Sequence, residues 1–138
     1  MKAAVADTSI ISRIFNERPE IALYHSHLSN ALISISFQTV AEMRYGAVKA
    51  DWGSRRRQEL ERFLESFSIV EYTSVLADKW AIIMDEARQA RRRLESGDAW
   101  IAATALLLNV PLIAHDNDLD PEACPSLIIY NYVRNTGS

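Results

Sequence analysis

Short apolar runs alternate with longer segments whose apolar residues recur at helical spacing along nearly the whole chain, and this order restricts the fold more than any other feature. Lys2 to Ala6 is a run rich in Ala and Val that stops at Asp7-Thr8-Ser9, after which Ile10, Ile11, Ile14 and Phe15 share a helical face. Asn16 to Pro19 breaks the pattern, Glu20 to Leu28 suits a short helix, and Ala31 to Ile35 reads as a second strand. Thr39-Val40-Ala41-Glu42 has the form of a capping box, a hydroxyl followed three residues later by Glu, and predicts a helix from there to Lys49. Leu60, Phe63, Leu64 and Phe67 mark an amphipathic helix over 55–67, and Ile69 to Tyr72 a third strand. Leu76, Trp80, Ile83, Met84 and Ala87 line one face of a helix over 74–94. After Ser96-Gly97, the segment Asp98 to Leu108 is apolar apart from its first residue, which predicts a helix buried on most of its surface. Leu112 to Ala114 and Leu127 to Tyr130 complete the set of strands. Strands separated by helices require crossovers, so the expected class is α/β, with a central mostly parallel sheet and helices on both faces. A length of 138 residues, without repeats or low-complexity linkers, suits a single domain over 1–138.

Composition narrows the chemistry. Hydrophobic residues make up 49% and charged residues 24%, enough to build a core, and no apolar run approaches the ~20 residues that cross a bilayer. A soluble, cytoplasmic protein without membrane partners is expected. The lone Cys124 and three scattered histidines, His25, His27 and His115, exclude a closed zinc site of Cys and His, so any metal here must be held mainly by oxygen. The cations are 12 Arg and only 3 Lys, a skew toward the side chain that grips phosphate bidentately.

Four acids stand where such a fold would gather them. Asp7 follows the first strand, Glu42 the second and Asp116 the fourth, and Asp98 opens the buried helix. Ligands of an open parallel sheet collect outside the carboxyl ends of its strands, so these residues can converge despite their separation in sequence. Singly, each has a structural explanation: Asp98 as a helix cap, Glu42 as half of its capping box. Together they need a counterion, because two carboxylates ~4 Å apart repel by roughly 4 kcal/mol at an effective dielectric of ~20. Hard oxygen ligands point to Mg²⁺ or Mn²⁺, and such ions activate water for attack on a phosphodiester.

The blocks VADTSIISRIF, SFQTVAEMRYGA and ESGDAWIAATALLLNVPLIAHD, in this order over nearly the whole chain, are similar to PIN-domain ribonucleases, and in particular to VapC-type toxins of bacterial toxin–antitoxin systems. The stretch from Asp98 to Ala105 is the most specific of them. The resemblance implies a three-layer α/β/α PIN-like fold and a Mg²⁺- or Mn²⁺-dependent endoribonuclease. It implies an active site of Asp7, Glu42, Asp98 and Asp116, with Asp7, Asp98 and Asp116 on the metal and Glu42 acting through a bound water or orienting the attacking one. Ser9 occupies the small polar position of the first motif, where its hydroxyl would bond within the acidic cluster. The chain departs from the family in having Ala114 where Thr or Ser is usual and Leu119 where an aromatic is usual, and Asp118 offers an extra acid at the fourth site. Implied partners are RNA, a cognate antitoxin that inserts a basic side chain near Asp7 and Asp98, and a second copy of the chain, with the apolar faces of 10–15 and 60–67 contributing to contacts.

Other readings of the same residues are weaker. Asp116-Asn117-Asp118-Leu119-Asp120 imitates the start of an EF-hand loop, but Pro121 stands where Gly is required and Leu127 where a bidentate Glu belongs. A phospho-receiver domain would need a Lys near the last strands, and the only Lys residues are Lys2, Lys49 and Lys79. A degenerate PIN domain serving only as a nucleic-acid or protein-binding module would be expected to have lost acids that are all present here. Arg55, Arg56 and Arg57, and likewise Arg91, Arg92 and Arg93, are either solvated helix faces or the grip on RNA phosphates. Trp100 reads as core, and Tyr45 and Gly46 as packing residues.

Overall fold

The structure is a computed structural model of the chain and describes residues 2–133. Five strands, β1 (Lys2–Ala6), β2 (Ala31–Ser36), β3 (Ser68–Val70), β4 (Leu112–Ala114) and β5 (Ile129–Asn131), form one sheet in the order β3-β2-β1-β4-β5. Every neighbouring pair is parallel, with Val5 opposite Ser34 on one side and Leu112 on the other. The six helices are α1 (Thr8–Phe15), α2 (His25–Leu28), α3 (Phe37–Lys49), α4 (Ser54–Glu65), α5 (Ser74–Gln89) and α6 (Ser96–Leu108). The chain leaves β1 toward β2 on one side and reaches β4 on the other, so the switch point lies between β1 and β4. This order also differs from the 2-1-3-4-5 sheet of phospho-receiver domains.

Side chains alternate across the sheet and feed two cores. Val5, Leu112 and Ala114 face α5 and α6, where Leu76, Ile83 and Ile101 are fully buried. Ala4, Ala6 and Ile113 face the other way, toward Ile10 and Ile11 of α1 and Leu60 and Leu64 of α4. Of the apolar faces over 10–15 and 60–67, which suit either partner contacts or ordinary core, Ile10, Ile11, Leu60 and Leu64 lie in this chain's own core. Tyr45 is 64% exposed, and Gly46 is exposed with open space where a Cβ would stand, so neither is a packing residue.

Several helix boundaries differ from the periodicity: α6 starts at Ser96 rather than Asp98 and α4 ends at Glu65 rather than Phe67, and at α3 and α5 the cause is local. The helix α3 starts at Phe37, because the Ser36 side chain accepts the Gln38 N–H at 3.0 Å and caps it first. The capping box at Thr39 therefore does not form, and Thr39 and Glu42 lie inside the helix. The helix α5 ends at Gln89 rather than Leu94, since Arg91 takes a left-handed conformation (φ 56°) and the Arg92 N–H returns to the Ala87 carbonyl. The cluster Arg91 to Arg93 is thus a loop between α5 and α6, not a helix face.

Small side chains set the depth of α6. Ala99, Ala102, Ala103 and Ala105 are all fully buried, which lets the helix lie close to the sheet and brings its first turn to the strand ends. Replacing Ala102 by Leu should lower the unfolding free energy by about 1–3 kcal/mol through overpacking, as read from urea denaturation.

Candidate active site

The N-terminal end of the site is built on α1. Asp7 leaves β1 at the switch point, 2% exposed, and its carboxylate caps α1 by accepting from the Ser9 N–H at 3.0 Å and the Ser9 hydroxyl at 2.5 Å. The same hydroxyl accepts the His115 N–H at 2.9 Å, so Ser9 ties the end of β1 to the end of β4. From α3, Glu42 accepts the Thr8 hydroxyl at 2.7 Å through Oε1, with the buried Thr39 hydroxyl 3.0 Å from the same donor. Glu42 is thus drawn to α1 instead of capping its own helix.

The other side of the site comes from α6 and the loop after β4. Asp98 sits in the first turn of α6, whose N-cap is Glu95, not Asp98. Gly97 lets α3 approach: a Cβ there would stand 2.9 Å from Gln38 Nε2 and 3.8 Å from Glu42 Oε2. After β4, Asp116 accepts the Asp118 N–H at 2.9 Å, which folds the loop back on itself. One oxygen each from Asp98, Asp116 and Asp118 can lie within 4.8 Å of the others, close enough to share one cation. Asp7 stands beside this group rather than in it, raising the pKa of Asp98 and feeling Asp116 and Glu42 in turn. Burial pushes the Asp7 carboxyl up to about 6, against the downward pull of its two Ser9 bonds. Burial, then repulsion from Asp7, Asp116, Glu42 and Asp118, pushes Asp98 to about 7. A donor set of carboxylates without His or Cys, destabilised by its own charge, suits a hard divalent cation such as Mg²⁺ or Mn²⁺.

The arginines divide. Arg55 pairs with Glu59, Arg56 lies over the rings of Phe15 and Trp52, and Arg57 donates to the Trp52 and Ala47 carbonyls, so this cluster stitches α4 to α1 and to the turn after α3. Arg92 pairs with Asp120 and Glu122, which takes Asp120 away from any cation shared with Asp116 and Asp118. Arg93 is 88% exposed, pairs with Glu95 at 2.8 Å, and lines a cavity of about 210 Å³ together with Glu95 and Asp118. It alone of the six is placed beside an acid of the site among the described residues.

Sequence patterning had pointed to neither Thr8, Gln38 nor Asn131. Thr8 and Gln38 lie within the blocks VADTSIISRIF and SFQTVAEMRYGA; Asn131 lies outside every motif. Trp100 stacks on Trp80 with ring centres 5.4 Å apart and meets Phe37 and the exposed Tyr72 edge-on, an aromatic cluster beside the Gln38 end of α3.

The raised acids give a signed pH dependence. In the folded protein without a cation, Asp98 holds its proton to about pH 7, whereas in the unfolded chain it releases it near pH 4, so its contribution to stability is lost as pH rises between these values. His115 works in the opposite sense, because burial favours its neutral form and stability is lost as pH falls. Comparing Asp98→Asn with the unaltered chain isolates the acid: in EDTA, its gain in Tm should grow from near zero at about pH 4 to a maximum above about pH 7. A gain independent of pH would show that neither burial nor the other carboxylates raises the pKa of Asp98.

The PIN domain family model matches residues 4–121, which hold Asp7, Glu42, Asp98, Asp116 and Asp118. Ribonuclease VapC4 of Mycobacterium tuberculosis is 26% identical over 120 residues, covering 86% of this chain and 89% of that protein. The solved structure of VapBC2 from Rickettsia felis, bound to a DNA fragment of its promoter, superposes with a TM-score of 0.79 at 23% identity over 94% of this chain and 98% of the other. That of VapBC-5 from M. tuberculosis, described as a member of the VapBC family of toxin–antitoxin systems, does so with a TM-score of 0.68 at 25% identity over 95% and 98%. With a matching model that spans both halves of the acidic site and the same parallel α/β/α architecture, the chain belongs to the PIN-domain family.

Proposed function

We propose that this protein is a metal-dependent endoribonuclease and the toxin of a toxin–antitoxin pair. The observation that carries this is the meeting of Asp7, Glu42, Asp98, Asp116 and Asp118 at the switch point, with Asp98 raised to about 7 by burial and by the other four. Relatives named ribonucleases and structural neighbours that are toxin–antitoxin complexes support it.

Asp98, Asp116 and Asp118 would hold Mg²⁺ or Mn²⁺, with Asp7 as a further ligand or as the charge that completes the site. The ion supplies positive charge against the negative charge that develops on a phosphodiester, and acidifies the attacking water. The chain's own residues do the rest. Glu42, held at Oε1 by Thr8, orients the attacking water and receives its proton through Oε2. Ser9 holds the Asp7 oxygens in place. The N-terminus of α6, without a side-chain cap, presents its first N–H groups to phosphate oxygens, and Arg93 adds a cation on the Asp118 side. The products would carry a 3′-hydroxyl and a 5′-phosphate if water is the nucleophile.

The proposed location is the cytoplasm, where a soluble nuclease would meet RNA. A basic side chain of an antitoxin would find, near Asp7 and Asp98, carboxylates whose charge it can compensate by bidentate hydrogen bonds. A homodimer is expected from the resemblance, and sedimentation at micromolar concentration tests it.

Purified protein should cut single-stranded RNA with Mg²⁺ or Mn²⁺, and Asp98→Asn should lose both cleavage and Mn²⁺ binding. Glu42→Gln should slow turnover by about 10²–10⁴-fold while changing Mn²⁺ affinity much less. RNA binding without cleavage by the unaltered protein would favour the binding-module reading. Arg93→Ala should weaken RNA binding and reduce the salt slope by about 1, whereas Arg55→Ala should change neither.

A further inference from the structure

Two of the three carboxylates that can share a cation, Asp116 and Asp118, lie on a loop outside any regular element, between β4 and a short 3₁₀ turn over Pro121–Ala123. Its shape is set from β5. Asn131, the last residue of that strand, donates through Nδ2 to the Asp116 carbonyl at 2.6 Å and to the Leu119 carbonyl at 3.1 Å. Its Oδ1 accepts the Val133 N–H at 3.3 Å, which fixes the orientation of the amide: turned over, the oxygen would face two carbonyl oxygens. The Leu119 N–H also returns to the Asp116 carbonyl at 3.2 Å, so Asn131 bridges the two ends of the turn that contains Asp118.

The end of β5 is itself anchored. The Tyr132 N–H donates to the Tyr24 hydroxyl at 2.8 Å, and that hydroxyl lies 2.7 Å from His115 Nδ1. Tyr24 is fully buried, stacks on Tyr132 and meets His115 edge-on. Residues 131 and 132 thus hold the acidic loop at both its start and its turn, and both lie beyond the stretch matched by the family model.

We infer that Asn131 is a positioning residue: it holds Asp116 and Asp118 in the arrangement that lets both share a cation with Asp98. This role deepens the metal-dependent reading above and rests on it. Asp118 is exposed and faces the charge of Asp98, so without the bridge the turn keeps only the Asp118 and Leu119 N–H bonds to Asp116 and can open further toward solvent, spreading the three ligands apart. Groups that orient metal ligands from behind are worth about 10–100-fold in metal affinity.

The test is calorimetric titration of the full chain with Mn²⁺, with hydrogen exchange of residues 115–120. Asn131→Ala and Asn131→Asp, whose carboxylate cannot donate to the two carbonyls, should weaken Mn²⁺ binding at least tenfold and speed exchange across the loop, with β1 and β2 unchanged. Leu64→Ala, in the core on the other face of the sheet from Leu119, should lower Tm without moving the Mn²⁺ affinity, which separates positioning from general loss of stability. If Asn131→Ala melts below the assay temperature, Asn131→Ser, too short to reach the carbonyls, is read in the same way. Mn²⁺ affinity within twofold of the unaltered chain in these variants overturns the role of Asn131 and leaves the nuclease reading intact. Failure of the unaltered chain to bind Mn²⁺ overturns both.

Discussion

Repulsion among five carboxylates at one end of the sheet is the constraint that the rest of the molecule answers to. At separations near 4 Å each pair costs roughly 4 kcal/mol at an effective dielectric of ~20, comparable with the whole stability of a small domain once several pairs are counted. The acids come from four places, the end of β1, the inside of α3, the first turn of α6 and the loop after β4, so no local change of backbone can separate them all. The frame must be stiff. A fully parallel sheet with buried Ala and Val on β1 and four buried alanines on α6 supplies that stiffness by close approach rather than by bulk.

Hydroxyl and amide donors then do what the sheet cannot. Ser9 gives its proton to Asp7 and takes one from the His115 backbone, so a single side chain both lowers the cost of the buried carboxylate and locks β1 to β4. Thr8 turns Glu42 inward. Asn131 closes the loop that carries Asp116 and Asp118. None of these donors carries charge, and that matters: a cation in any of these places would compensate the acids permanently and remove their demand for a bound ion.

The layers and the helix faces were readable because burial imposes period 2 on strands and 3.6 on helices, and Ile10, Ile11, Leu60, Leu64 and Ile83 show those periods directly. Competition between caps was not. Thr39 and Glu42 satisfy the capping-box pattern, yet Ser36 stands three residues earlier at the strand end and starts the helix first. The end of α5 was hidden for a similar reason: Arg91 adopts a left-handed conformation that sequence patterns reserve for Gly or Asn, so the run of three arginines looked helical. Of the acids, Asp7 and Asp98 stood out by their place at the start of helices, whereas the share of Asp118 depends on the fold of a six-residue loop and on Asn131, a dozen residues downstream, which no local pattern connects.

If RNA is the substrate, as proposed, a negative hole that receives it is workable only if part of its charge is compensated at the moment of use. Residues that would make the hole attractive to RNA on their own, Arg92 and Arg93, are matched by Asp120, Glu122 and Glu95, so the rim is close to neutral and the acids dominate the local field. A divalent ion would cancel part of that charge, put a positive centre among the acids and relieve the repulsion, and by binding only the folded arrangement it would stabilise the fold, by about 2.7 kcal/mol at a hundred times its Kd. The same arithmetic applies to any cation that fits, including a guanidinium carried by another protein. Activation and inhibition would therefore draw on one source of free energy, the burial and mutual repulsion of the carboxylates around Asp98, and a ligand that relieves it without leaving a place for phosphate and water would silence the site as effectively as an ion enables it.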